Sequence, residues 1–210
     1  MLHYFCCLVP RGEGKAEFLM FKDFAHRHSP CTVNGEPDKV ILSRETKATT
    51  VLGKEYMYNG LFAPKSSVLP GDVVQNDMTL LVQTLRFTAT KDKYCSLIKT
   101  NVTTEVQRYM QEYDENDNPK GKPEFTPVAD EVVGFAQHVT AQLKQEEPGL
   151  LSTTSLVLLL QTNVDVREPS DPALMSPDRI LITGKKYQVD VVDRIKYPNL
   201  LHIQLCEDRR

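Results

Sequence analysis

Residues 176–195 read SPDRILITGKKYQVDVVDRI. Asp178 opens a short run of strand-forming residues, Thr183-Gly184 interrupts it, and a second run follows. This is the outline of a β-hairpin, with Gly184 as its turn residue. In the second run Tyr187, Val189 and Val191 alternate with Gln188 and Asp190. The strand is therefore half buried, and those three side chains are expected to face inward. Residues 70–85 read PGDVVQNDMTLLVQTL. There Asp72 follows a turn residue, Val73 and Val74 follow it, Gln75 to Asp77 break the run, and a second apolar run begins. The same hairpin is written twice, a little over one hundred residues apart, and matching the copies needs a one-residue gap. Asp72 and Asp178 are expected where strands begin, accepting nearby backbone N–H groups.

The parallel extends outward. Each half carries a threonine pair near a strand start (Thr49-Thr50, Thr153-Thr154) and a loop rich in Pro and Ser. Each ends in an apolar strand, CSLIKT at 95–100 and LLHIQL at 200–205. A diverged tandem duplication of a small β-barrel accounts for this. Chance recurrence of short Asp-led hairpins in a β protein is the competing account.

The intervening sequence is rich in β-branched and aromatic runs: 39–44, 48–52, 54–63, 72–75, 79–90, 94–102 and 103–113. Gly53, Pro64-Lys65-Ser66-Ser67, Pro70-Gly71, Asn76-Asp77 and Lys91-Asp92 separate them. Many short strands at such spacing indicate a mainly β chain built as a sandwich or barrels. Residues 131–143 (EVVGFAQHVTAQL) read as strand, although Val133, Ala136 and Val139 also suit a helix. Residues 14–28 (GKAEFLMFKDFAHRH) read as a short helix with Phe18, Phe21 and Ala25 on one face, ended by Ser29-Pro30. Residues 114–124 (DENDNPKGKPE) are polar, hold two prolines and a glycine, and read as a linker or an exposed hairpin tip. The expected organisation is an N-terminal segment with the helix (1–35), a first barrel (36–113), the linker or tip (114–124) and a second barrel (125–210).

Composition narrows the function. The chain has 210 residues, 40% of them hydrophobic, and a formal charge of −3. That length holds one larger domain or two small ones. No apolar run reaches the ~18 residues that span a bilayer, and the start lacks the basic residue of a secretory signal. Five cysteines, with Cys6 and Cys7 adjacent, argue for reduced thiols rather than a disulfide framework. The acidic balance disfavours non-specific DNA binding. Arg44, Lys47 and Lys54 with Tyr56 and Tyr58 are the best basic and aromatic cluster for a nucleic-acid-binding barrel.

The chemistry-bearing motifs are incomplete. His26, His28 and Cys31 lack the second ligand pair of a zinc site, and His3 completes no motif with Cys6-Cys7. Asp114, Asn116 and Asn118 imitate a calcium loop, but Pro119 and Phe125 stand where glycine and glutamate belong. There is no Gly-x-Ser-x-Gly, and GEGK at 12–15 is too short for a phosphate loop. His138 and His202 lie in apparent strands and read as structural, while Asp190 and Asp193 read as solvent-facing. No catalytic residue, metal or cofactor is expected.

The segment PDRILITGKKYQVDVVDRIKYPNLLHIQLCEDRR (177–210) resembles the ending of head–tail connector proteins of tailed bacteriophages, also called neck, head-completion or head-closure proteins. The shared pattern is an Asp-Arg opening a hairpin, a Gly-Lys turn, a Tyr-x-Val-Asp strand, a Tyr-Pro-x-Leu turn and a strand ending in acidic residues and Arg. VTAQLKQEEPGLLSTT (139–154) and HSPCTVNGEPDKVILSRET (28–46) share the likeness, which covers roughly 129–210 most strongly and 20–100 less so. It implies a non-enzymatic virion protein, assembled in the bacterial cytoplasm and residing in the neck. As a homo-oligomeric ring, twelvefold or sixfold, it would sit beneath the portal or an adaptor, with the tail or a further neck protein below and DNA passing through the lumen. A tail-completion or tail-terminator protein is the near alternative, and a nucleic-acid-binding barrel the distant one. Loop residues Pro64, Ser66, Ser67, Asp114, Asn116, Pro119, Glu168, Pro169 and Pro172 are the expected assembly contacts.

Overall fold

The computed structural model of the chain describes residues 20–45 and 55–210. The strands are β1 Ser29–Val33, β2 Glu36–Arg44, β3 Met57–Phe62, β4 Val73–Gln75, β5 Thr79–Phe87 and β6 Lys93–Lys99, then β7 Val102–Met110, β8 Glu124–His138, β9 Leu156–Gln161, β10 Arg179–Ile182, β11 Lys185–Asp193 and β12 Leu200–Glu207. Two short helices, α1 Met20–Asp23 and α2 Ala141–Glu146, accompany them.

The strands close into two six-stranded barrels, β1-β2-β3-β6-β5-β4 and β7-β8-β9-β12-β11-β10. The order is the same in both. A three-strand meander is followed by a crossover, and the fourth strand returns beside the first, as in a Greek key. Every pairing is antiparallel. Closure gives every strand a partner on each side over part of its length, while β7 beyond Gln107 and β8 from Glu124 to Gly134 have only each other.

The hairpin repeated in the sequence occupies the same place in each barrel, as β4–β5 in the first and β10–β11 in the second. The match extends to single atoms. The backbone carbonyl of Asp72 accepts the N–H of Val82 at 2.9 Å, and that of Asp178 accepts the N–H of Val189 at 3.0 Å. A bulge follows each of these valines, between Val82 and Thr84 and between Val189 and Val191. The second bulge resets the alternation of β11. Tyr187 and Val189 are buried, but Val192 rather than Val191 is the next residue in the core. The expected inward position of Val191 is thereby corrected: a bulge inserts one residue and flips the side chains beyond it.

Each crossover also plugs its barrel with a valine. Val68 and Val166 are both fully buried in their respective cores. The residue after each plug donates its N–H to the Asp carboxylate, Leu69 to Asp72 at 2.7 Å and Arg167 to Asp178 at 3.0 Å. In the second barrel Arg108 on β7 reinforces this device. Its guanidinium donates to both Asp178 oxygens, at 3.0 and 2.9 Å, and to Asp165 at 2.8 Å. In the first barrel the amide of Asn34 does the same work, donating to Asp72 at 2.7 Å.

A third apolar cluster joins the barrels. Leu81 and Ile98 of the first meet Phe135, Leu159 and Leu200 of the second, with Tyr56, Met57, Val73 and Tyr197 around them. Gly71 lies at its rim with φ +90°, where a Cβ would overlap the Asn199 backbone. The Gly71 carbonyl accepts the Gln161 amide at 2.8 Å, and the Pro70 carbonyl accepts that of Asn199 at 3.0 Å.

Several expected boundaries shift. β7 pairs with β8 and β10, so it belongs to the second barrel, and the junction lies at Thr100-Asn101 rather than at 114–124. Residues 114–124 form the tip of the β7–β8 hairpin, because a solvated tip and a linker share one polar composition. The first barrel begins at Ser29 rather than after residue 35. β8 stops at His138, and Thr140 caps α2 by accepting the Leu143 N–H at 3.2 Å, so the end of 131–143 is helical. Of the N-terminal helix, residues 14–19 lie outside the described residues. Within the described part Phe21 alone is buried, while Phe24 and Ala25 are exposed. The strand expected at 48–52, with Thr49-Thr50, also lies outside them.

These contacts set an order of stabilities. Asp178→Ala leaves the Arg108 guanidinium buried without its bidentate partner and should cost about 3–5 kcal/mol in equilibrium denaturation. Asp72→Ala removes hydrogen bonds from neutral donors to an exposed carboxylate and should cost about 1.5 kcal/mol. Equal losses would show that the buried ion pair is not the stronger clasp.

Candidate functional site

The β7–β8 hairpin projects beyond its barrel as an arm. From Glu112 to Lys122 every residue is exposed, yet the tip is an ordered hairpin. Tyr113 bridges to Pro119. The Asp114 N–H donates to Asn118 at 2.9 Å, and the Lys120 N–H donates to Glu112 at 2.8 Å. The Asp114 carboxylate accepts the N–H groups of Asn116 and Asn118 at 2.8 and 2.9 Å. These backbone hydrogen bonds, Asn118's foremost, hold its pKa below the usual carboxylate range. The expected calcium-like trio is thus a turn whose carboxylate is satisfied by backbone.

The root of the arm is braced from inside. Arg108 is 7% exposed and clasped by Asp178 and Asp165. The Asp178 hydrogen bonds outweigh burial and raise the guanidinium pKa, with Asp165 adding to the effect. The Arg108 hydrogen bond in turn lowers the pKa of Asp165.

Beside the root lies a groove of about 810 Å³, lined by residues that include Tyr109, Phe125, Met175, Arg179, Lys186 and Arg210. The Arg179 guanidinium stacks 3.6 Å above the Phe125 ring, and that of Arg210 lies 5.0 Å from it. Both arginines share one carboxylate, Asp208, at 2.6 and 2.9 Å. Burial would push the Asp208 carboxyl up, but hydrogen bonds from Arg210 and Arg179 outweigh it and hold it well below the usual range. Arg210 also reaches Ser176 and the Pro177 carbonyl.

The other expected contact residues are placed differently. Ser66 is pinned under the first barrel: its hydroxyl donates to Asp38 at 2.5 Å and accepts the Val68 N–H, and its carbonyl takes the Lys93 ammonium at 2.6 Å. Pro64 is half-buried beside it and Ser67 is exposed. That loop closes a barrel end. Glu168 and Pro169 line a second groove of about 960 Å³ with Asp190 to Lys196. Pro172 is exposed in the turn that Asp171 organises. Gly184 (φ 79°) and Thr183 (φ 49°) form the two-residue turn of β10–β11. Asp72 and Asp178 each precede a strand and accept a backbone N–H, as described above.

Sequence reasoning missed one polar cluster. His202 points out of β12 beneath α2 and is 4% exposed. Its Nε2 lies 3.3 Å from Glu147 and 3.1 Å from the Lys196 ammonium, which itself contacts Glu147 at 2.5 Å. Burial, and then Lys196, depress the His202 pKa, with Glu147 and Asp193 partly opposing them. The imidazole is neutral at pH 7. The one available signal was His202 within an apolar strand; its partners come from separate loops.

The nucleic-acid cluster does not assemble among the described residues. Tyr58 lies in the core of the first barrel, and Tyr56 packs edge-on against Phe135 at 5.4 Å. Lys47 and Lys54 lie outside them. His28 stacks on Phe21 and contacts its carbonyl at 2.8 Å, while Cys31 faces the barrel interior. Among the described residues no His, Cys, Asp and Glu group is arranged to hold a metal ion. The thiols of Cys31, Cys95 and Cys206 are free, and burial chiefly pushes them up to about 11, 12 and 11. Cys6 and Cys7 lie outside the described residues. Among the described residues no helix is long and apolar enough to cross a membrane. Compared with known proteins, the chain matches no family model and no curated sequence.

The His202 cluster gives a signed pH dependence. With the folded pKa below the ordinary 6.5, the unfolded chain takes up the proton first as pH falls. Stability should therefore drop on acidification from pH 6.5 toward 5, and more steeply in the wild type than in His202→Gln. Parallel pH profiles of the denaturation midpoint would rule this out.

Proposed function

We propose that this protein is a structural component of the neck of a tailed bacteriophage, where copies form a ring beneath the portal and present a surface to the tail. The observation that carries an assembly role is the β7–β8 arm. It is ordered by its own hydrogen bonds, fixed at its root by a buried ion pair, and covered by nothing in the described chain. A preorganised element loses little conformational freedom when it docks, which favours binding. Within the barrels the strands close on one another, so contacts between copies fall to side-chain faces and to the projecting hairpin, whose β8 edge from Glu124 to Gly134 has only β7 beside it. The particular assembly comes from the likeness of 129–210 to connector proteins. On this reading the partners are a portal or adaptor above, a tail or second neck protein below, and DNA in the lumen.

A tail-completion or terminator role uses the same surfaces and differs only in position within the particle. Particles from a phage carrying a nonsense mutation in this gene distinguish the two. Free tails beside emptied or tailless heads are expected for a neck protein. Complete heads with tails of abnormal length or uncapped tails would move the assignment to the tail. Intact infectious particles would end both.

A further inference from the structure

We infer that the acidic tip of the β7–β8 arm docks into the basic groove beside the arm root of a second copy of this chain. The inference gives the assembly reading above a defined contact and rests on that reading for its biological meaning. The tip carries Glu112, Asp114, Glu115 and Asp117, flanked by Lys120 and Lys122. Asp114 is consumed by the turn. The side chains of Glu112, Glu115 and Asp117 make no ion pair or hydrogen bond among the described residues, and Tyr113 is 62% exposed beside them.

The groove has the complementary character. Arg210 and the buried Arg179 share the Asp208 carboxylate, and Arg179 also donates to the Arg210 main-chain oxygen at 3.4 Å. The exposed Lys186 side chain has no ion pair among the described residues, and Met175 on the rim is 60% exposed. Glu124 is the one acidic side chain lining this groove. Unpaired carboxylates beside an exposed aromatic ring thus match a groove whose cations, Arg179, Lys186 and Arg210, outnumber the carboxylates of Asp208 and Glu124 by one, and which presents the free Lys186 ammonium and an exposed methionine. Such matching of charge and apolar surface sets register and partner choice. Tip and groove are different patches of one surface, so the contact is head-to-tail and propagates from copy to copy until it closes into a ring.

Mass measurement by sedimentation on the full chain tests this, with Glu115→Lys and Lys186→Glu as variants at exposed positions. The wild type should self-associate at low salt and weaken at least tenfold at about 0.5 M salt, where screening is strong. Each variant alone should sediment as a monomer, because either change removes the charge attraction between tip and groove. An equimolar mixture should recover the larger species, since the unaltered tip of one fits the unaltered groove of the other and the two altered side chains are again opposite in sign. A monomeric wild type, a variant that keeps the wild-type mass, or a mixture that stays monomeric would each overturn the contact. Loss with Lys186→Glu but not Glu115→Lys would assign the groove to another acidic segment and overturn the role of the arm. These outcomes are independent of particle morphology, so the contact and the neck assignment fail separately.

Discussion

The aspartate that precedes the fourth strand of each barrel is the constraint on which the rest depends. A Greek-key barrel must bring a crossover back over its own end and start a strand beside the first one. Asp72 and Asp178 perform both tasks. Their carbonyls fix the start of the fourth strand against the fifth, and their carboxylates hold the residue after the plug valine. The plug seals the barrel end with Val68 or Val166, and burial of that end lets short strands enclose a dry core. In the second barrel the clasp is a buried ion pair rather than an amide, and it anchors the strand that extends into the arm.

Each barrel meets the other through a different part of its wall. Register makes Phe135, Leu159 and Leu200 of the second barrel the counterparts of Ile41, Leu61 and Asp92 in the first. None of those three lies in the cluster that joins the barrels. Leu200 is buried against the neighbouring barrel, whereas Asp92 accepts the Phe21 N–H of α1 at 3.2 Å and is buried there. One position of the repeated fold thus holds a whole barrel in one copy and the N-terminal helix in the other.

The repeat was legible because its clasp is local. An aspartate, two strands and a turn fall within twenty residues, and apolar alternation marks which side faces inward. The parts that escaped depend on distance or on an inserted residue. Arg108 meets Asp178 across a separation of 70 residues, and nothing in its neighbourhood announces the pairing. Val191 was misplaced because a bulge changes the pleat without changing composition. β1 was read as a helix stop at Ser29-Pro30. β4 reaches only Thr32 and Val33 of that strand, so Pro30 has β2 as its one sheet neighbour, a position where proline is tolerated. The arm was seen as a tip or linker; its turn is held by local hydrogen bonds, but the groove at its root arises from tertiary contacts of residues 107 to 210.

The unlike walls at the junction bear on how such a chain arises. A single ancestral barrel joining copies through these surfaces would have offered one wall to the copy ahead and the other to the copy behind. No twofold dimer results from such pairing; the product is an unbounded fibre unless the geometry bends it shut. Fusing two barrels in tandem satisfies one such junction within the chain. The leftover walls are unlike the joined ones: Asp92 lies beneath α1, and Arg179 and Gln188 stand where Val73 and Leu81 stand in the first barrel. A tandem of two such barrels is a unit of fixed size where single ones would polymerise, and it leaves the choice of further neighbours to whatever projects from it.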